Sequence, residues 1–187
     1  DAQKAVRDAE TALETAQLEL EKFKQPPKSL EVQAIEAAIA SSEKSKTDAN
    51  KTVQNAHRNL LNSSTVATPN TLTTNETPPT ITGTYQKDIE GQITITVYQA
   101  GDGGYFSLSS TPASIANGTG PISTTVAQPL GDTGLYIKFA NTSSTQQWII
   151  SLPNKAAANY VSNLKTYEDS IESKEQTIKI INANSSQ

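Results

Sequence analysis

Cysteine is absent from the 187 residues, which removes disulfides, thiolate nucleophiles and cysteine-ligated zinc or iron–sulfur sites at once. Aromatic residues make up only 5%, low for a globular chain, and 35% hydrophobic with 18% charged is too polar for a membrane protein. No run comes near the roughly eighteen consecutive apolar residues that a spanning helix needs, so a soluble chain without a direct membrane span is expected. An excess of positive charge is also missing. With 15 basic and 19 acidic residues the net charge is −4, which leaves no footprint for nucleic acid or an anionic membrane surface. Methionine is absent even at position 1, and no charged-then-apolar leader precedes Asp1, so the chain is expected to be a piece of something longer.

What is present is sorted unevenly. All nine glycines lie between Gly83 and Gly134, and seven of the nine prolines lie between Pro69 and Pro153. Residues 62–154 carry only seven of the 34 charged side chains: Glu76, Lys87, Asp88, Glu90, Asp102, Asp132 and Lys138. Charge mixed with Ala, Leu, Glu and Lys favours helix, because straight side chains lose little rotamer freedom there. Thr, Val and Ile punctuated by glycine turns favour strands. The order is helix, non-helix, helix.

The flanks follow a 3.5-residue period. Ala2, Val6, Ala9, Leu13, Ala16, Leu20 and Phe23 alternate at intervals of four and three, the a/d seam of a coiled coil. A second series runs Val32, Ile35, Ile39, Ser42, Lys46, Ala49, Val53, Ala56 and Leu60, weak at Ser42 and Lys46. The last flank gives Tyr160, Leu164, Tyr167, Ile171, Lys174, Ile178 and Ile181. Such narrow stripes bury about two residues in seven, so the helices are expected to pair with one another or with further copies. Pro26-Pro27 removes two backbone donors and pushes Gln25 out of the helical region, as either a hairpin tip or a kink, and Ser29 can cap the restart. A helix over 29–63 would span roughly 50 Å.

The middle alternates with a period of two. Ile81, Gly83 and Tyr85 form one set, Ile93, Ile95 and Val97 a second, Phe106 and Leu108 a third. Ile122, Thr124 and Val126 form a fourth, Leu135, Ile137 and Phe139 a fifth, Trp148, Ile150 and Leu152 a sixth. Turns are predicted at 88–91, 101–104, 117–120 and 131–134. The fold class is therefore α+β: antiparallel coiled-coil helices in three long segments, carrying a small antiparallel β-sandwich or barrel. Its expected parts are coiled-coil helices over 1–61, a little-ordered linker over 62–78, a β-domain over 79–154 and a returning helix over 155–187.

Candidate chemistry is sparse. His57, the one histidine, follows seam residue Ala56 and reads as a solvated surface side chain; a base or metal ligand would need partners that the sequence does not place beside it. Asp88 and Glu90 could be imagined as a paired-carboxylate site, but a charged hairpin end that blunts a sheet edge accounts for them better. Asp102 and Asp132 lack the alternating acidic ligands of a calcium loop. The glycines at 101–104 precede no lysine and form no phosphate cradle. Asn-X-Ser/Thr triplets, among them those at Asn62, Asn75, Asn117, Asn141 and Asn184, arise readily in a chain so rich in these residues. Trp148 is in phase with Ile150 and Leu152 and belongs to the core, whereas Tyr98 and Tyr136 fall on the opposite parity as candidate surface contacts. No catalytic, metal or cofactor site is expected, and no cofactor.

The runs Asp1-Ala2-Gln3-Lys4-Ala5 and Leu18-Glu19-Leu20-Glu21-Lys22-Phe23, then Gln25-Pro26-Pro27 and Leu30-Glu31-Val32, resemble the α-helical hairpin of HlyD-type membrane-fusion proteins, the periplasmic adaptor subunits of bacterial export pumps. The phrases Pro79-Thr80-Ile81-Thr82-Gly83-Thr84-Tyr85, Gly134-Leu135-Tyr136-Ile137 and Trp148-Ile149-Ile150-Ser151-Leu152-Pro153-Asn154 look like a β-domain inserted into the hairpin of some such adaptors. The resemblance implies a non-enzymatic, periplasmic, membrane-anchored protein that bridges an inner-membrane transporter and an outer envelope component and assembles with further copies through packed hairpins. The family's lipoyl-like and β-barrel domains and its anchor are not in this sequence, as expected of a hairpin-region piece. The tip arginine of some adaptors has no counterpart near Pro26-Pro27, where Lys24 and Lys28 supply the charge. The alternative expectation is a cell-surface or phage recognition module, in which the β-domain binds glycan or protein and the helices are its stalk.

Overall fold

Two-residue alternation in the middle of the chain becomes one-sided burial. Within β3 (Gly91–Ala100), Ile93, Ile95 and Val97 are buried while Gln92 and Tyr98 are exposed. The same rule places Phe106 and Leu108 of β4 (Gly103–Thr111), Leu135 and Ile137 of β7 (Leu135–Lys138), and Trp148, Ile150 and Leu152 of β8 (Gln147–Leu152) in one core. This computed structural model describes residues 2–24, 30–70, 76–101, 103–141 and 146–185, with side chains in the first helix from residue 11 onward except 22 and 23. The remaining elements are α1 (Ala2–Lys24), α2 (Leu30–Leu61), β1 (Thr68–Pro69), β2 (Thr80–Gly83), β5 (Gly118–Pro121), β6 (Gln128–Pro129) and α3 (Tyr160–Asn184).

All strand pairings are antiparallel. One sheet has the order β1-β8-β3-β4-β5 and the other β2-β7-β6, so the class is α+β with a two-sheet β-domain. Among the described residues no helix is long and apolar enough to cross a membrane.

The chain divides into two units, Asp1–Ser45 and Lys46–Gln187, so the boundary falls inside α2 rather than at residue 61. In the first unit the seam residues are exposed in the single chain. Leu13, Leu20, Ile35 and Ile39 are all at least 54% exposed, and Val32 is exposed too. An a/d stripe is buried only where a second helix lies along it, and within this unit these side chains face solvent. Val6, Phe23, Ser29 and the Pro26-Pro27 break lie outside the residues or side chains described.

In the second unit, α3 runs antiparallel to the end of α2. His57 stacks on Tyr167 with ring centroids 4.9 Å apart, and Asn163 Nδ2 donates to Asn59 O at 3.2 Å and to Ser63 Oγ at 2.8 Å. Ala56 and Leu60 are buried, Val53 is half-buried, and on α3 the half-buried Leu164, Tyr167, Ile171 and Ile178 keep the same stripe as buried Ser170. Leu61 turns the other way, into the β-domain core.

Residues 62–70 are not a loose linker. Ser63 and Ala67 are buried, and β1 pairs Thr68 with Ile149 and Pro69 with Trp148. Residues 71–75 lie outside the described residues. A second correction concerns 117–126. Gly118–Pro121, read as a turn, is strand β5, while Ile122, Thr124 and Val126 are not in a strand. Ser123 Oγ accepts from the N–H groups of Thr125 at 3.3 Å and Val126 at 2.9 Å, a side-chain turn that stops the strand. Gly120 stays extended because the Phe106 ring occupies the space where a β-carbon would stand.

Gly83 ends β2 at φ 94°, where a β-carbon would run into the Gly134 carbonyl; Gly101 at φ 60° faces open space. Gly101→Ala should therefore cost only the left-handed backbone penalty, about 1 kcal/mol, and Gly83→Ala at least about 3 kcal/mol, measured by urea denaturation. Equal losses would show that the space around Gly83 is not closed.

Candidate functional site

The densest arrangement of polar side chains lies where α2 ends against the β2–β3 loop. After Leu61 the chain turns at Ser64, a left-handed residue at φ 42°. Asn62 does the fastening. Its Oδ1 accepts from Tyr85 N at 2.7 Å, and its Nδ2 donates to Tyr85 O at 3.1 Å and to Arg58 O at 2.9 Å. One amide thereby pairs with both backbone groups of Tyr85 and adds a second donor to the Arg58 carbonyl, which also accepts from Asn62 N at 3.1 Å. Where the chain leaves the β-domain, Asn154 Nδ2 donates to Ser64 O at 2.9 Å. The chain thus enters and leaves the β-domain at neighbouring points.

Charges reinforce the seam. Arg58 Nε donates to Asp88 Oδ1 at 3.2 Å, and His57 Nε2 stands 3.5 Å from Glu90 Oε1. Asp88 and Glu90 therefore do not blunt a sheet edge; they tie the loop to α2. His57, expected in solvent, is 17% exposed and held between Glu90 and the Tyr167 ring. Lys87 Nζ donates to the carbonyls of Ser114 at 3.0 Å and Ile115 at 2.9 Å and pairs with Asp132 at 2.6 Å. That hydrogen bond holds the Asp132 carboxyl below its ordinary value. Asp132 thus answers a lysine, and Asp102 lies outside the described residues.

Beside the junction opens a hollow of about 710 Å³, walled by Glu90, Gly91 and Gln92 on one side and by Pro153, Asn154 and Lys155 on another. Glu90 is the carboxylate that faces His57, so the hollow shares a wall with the ion-paired seam. Among the described residues no group of three or more His, Cys, Asp or Glu side chains converges as metal ligands would. Trp148 is in the core as expected, with its indole N–H unpartnered.

Tyr98 and Tyr136 are both exposed, but on different sheets, each with its buried neighbours turned inward, so they stand on opposite outer faces of the β-domain. Tyr98 instead meets Tyr105 across the β3–β4 pair, ring centroids 6.0 Å apart. Tyr85 is buried and donates its hydroxyl to Ile89 O at 2.9 Å. The fastening roles of Asn62, Asn163 and Lys87 have no motif in the sequence. Only the position of Asn62, just past the last helical heptad, gave any signal, because Asn commonly follows a helix end.

Comparison with known proteins gave no match: no protein-family model, curated protein or solved structure matches the chain.

Two outcomes follow from the junction. Asn62→Ala strands the Tyr85 N–H and should cost about 2 kcal/mol in denaturant titrations, with faster hydrogen exchange at the Tyr85 amide; unchanged exchange would mean the clamp does not hold the loop. Burial, with Asp88 and Asp132 adding negative charge, pushes the Tyr85 phenol from 10.0 up to about 12. The unfolded chain ionises this phenol first, so its contribution to stability is complete below pH 10 and lost as pH rises towards about 12. Alkaline melting of Tyr85→Phe should show a shallower decline than the parent chain; equal slopes would refute the shift.

Proposed function

We propose that the chain is a non-catalytic structural segment of a periplasmic adaptor of the membrane-fusion type, in which paired helices carry an inserted β-domain between an inner-membrane exporter and outer envelope components. The observation that carries this reading is the insertion geometry. The β-domain is entered from α2 and left into α3, the helices run antiparallel at His57–Tyr167 and Asn59–Asn163, and the two crossings are tied by Asn154 to Ser64. A domain hung in this way leaves the helical path beneath it continuous. The pairing of side chains at the junction, cation to carboxylate and amide to backbone, suits a fixed mount better than a reacting centre.

The coiled-coil part of the proposal rests on Leu13, Leu20, Ile35 and Ile39. Their heptad spacing and their exposure fit a seam completed by another helix, from the rest of the full-length protein or from another copy. Leu164, Tyr167, Ile171 and Ile178 continue the same period on the returning helix. No cofactor takes part.

Single cysteines in place of Leu13 and Ile39, with any cysteines elsewhere in the full-length protein replaced, give defined cross-linking positions. In the full-length protein, tagged in its native cell envelope, they are expected to capture neighbouring copies, and the protein is expected to co-purify with an integral-membrane exporter identified by mass spectrometry. Recovery from the cytoplasm, or from the envelope with no exporter under cross-linking, would end the adaptor proposal.

A further inference from the structure

The outer face of the five-stranded sheet has an unusual chemistry. Of its strands, β3, β4, β5 and β8 present alternate residues outward, and every outward residue in them is uncharged, although the chain has 34 charged side chains. Tyr98 and Tyr105 lie in register, 36% and 37% exposed and stacked at 25° between ring planes, and Pro121 continues the same row on β5. The next row holds hydroxyls and amides. Thr96 faces Ser107 across β3–β4, and Gln147 Nε2 donates to Thr96 Oγ1 at 3.2 Å while its Oε1 accepts from Asn70 Nδ2 at 2.6 Å. An aromatic strip thus lies beside a strip of neutral donors and acceptors on the outer face of the sheet.

We propose that this face, centred on Tyr98 and Tyr105, binds a neutral oligosaccharide. Pyranose rings present flat C–H faces to aromatic rings and a rim of hydroxyls to amides and hydroxyls, which is the two-strip pattern described. The absence of charge is the decisive complement. A ligand that covers a charged side chain must strip its water without supplying a counterion, whereas a face of Thr, Ser, Gln and Tyr exchanges water hydrogen bonds for sugar ones. An acidic glycan gains little here, since among the described residues of these strands no cation faces outward and the chain carries a net charge of −4. Tyr136, on the opposite sheet, shares its outward face with Lys138 and among the described residues stacks on no aromatic ring, so it serves as the internal comparison. The site does not depend on the adaptor proposal. The competing role is a purely structural clip on the β3–β4 hairpin, since cross-strand aromatic pairs also stabilise sheets.

The test is a nuclear magnetic resonance titration of the whole chain with neutral oligosaccharides of glucose, mannose, galactose and N-acetylglucosamine, and with a uronic-acid oligosaccharide. Binding of at least one neutral probe is expected, with shifts grouped at Tyr98, Tyr105, Thr96 and Gln147. Affinity should fall at least about tenfold in Tyr98→Ala and in Tyr105→Ala and stay unchanged in Tyr136→Ala. Tyr98→Phe keeps the ring and should keep most of the binding. Should the alanine variants fail to fold, Thr96→Lys leaves both rings in place, plants a charge on the face and is expected to weaken binding likewise. No shifts at millimolar probe, binding of the acidic probe alone, shifts on the Tyr136 face, or concentration-dependent self-association through this face without sugar would each overturn the proposal.

Discussion

One asparagine amide sets how the β-domain is held. A helix end exposes its last carbonyls and a loop entering a strand exposes its backbone, and both lie beside a core that water does not reach. Asn62 answers both with one planar group, paired through donor and acceptor with Tyr85 and through its second donor with Arg58 O. Leu61, its neighbour, is inside the β-domain core, so the peptide joining the two residues is fixed from both sides. The Arg58–Asp88 ion pair and the contact of His57 with Glu90 lie one turn back along the same helix. Partly exposed pairs of this kind are worth little alone, about 0 to 1 kcal/mol. Their effect is to select one docking of a loop that the amide and the core have already placed.

The strands were legible because burial on one side of a sheet forces a period of two, as over Ile93, Ile95 and Val97 or Trp148, Ile150 and Leu152. The same signal misled at Ile122, Thr124 and Val126. Alternation survives there without pairing, because the Ser123 hydroxyl offers the backbone a turn instead. It was silent at Gly118–Pro121, where the residue that makes the strand possible, Gly120, contributes only the absence of a side chain beneath Phe106. Helices were legible from the heptads, yet a heptad says that a face is apolar and not what covers it. Leu60 is buried and Leu20 is exposed at equivalent seam positions. The candidate site was the least legible, since the junction joins Asn62 to Tyr85, His57 to Glu90 and Asn163 to Ser63, pairs separated by 23 to 100 residues and specified by no local motif.

The middle of the chain has few charges, and those in described loops are used for fastening. Lys87, Asp88, Glu90 and Asp132 all lie between strands, and each faces an opposite charge or a histidine. Sheet edges were expected to be protected by such charges, since an unpaired strand invites another chain to add to it. The structure guards its edges differently. The five-stranded sheet ends in β1 and β5, of two and four residues, and the three-stranded sheet ends on one side in β6, of two. Each of these edge strands closes with a proline, Pro69 opposite Trp148, Pro121 opposite Tyr105 and Pro129 opposite Tyr136. A proline has no N–H to offer, so a short edge strand that ends in one presents an incomplete ladder to any newcomer. Because proline does this work at the edges, the outer face of the large sheet can remain neutral without inviting strand addition. The hydroxyls and paired tyrosines on that face are therefore free to answer to a ligand rather than to solubility alone.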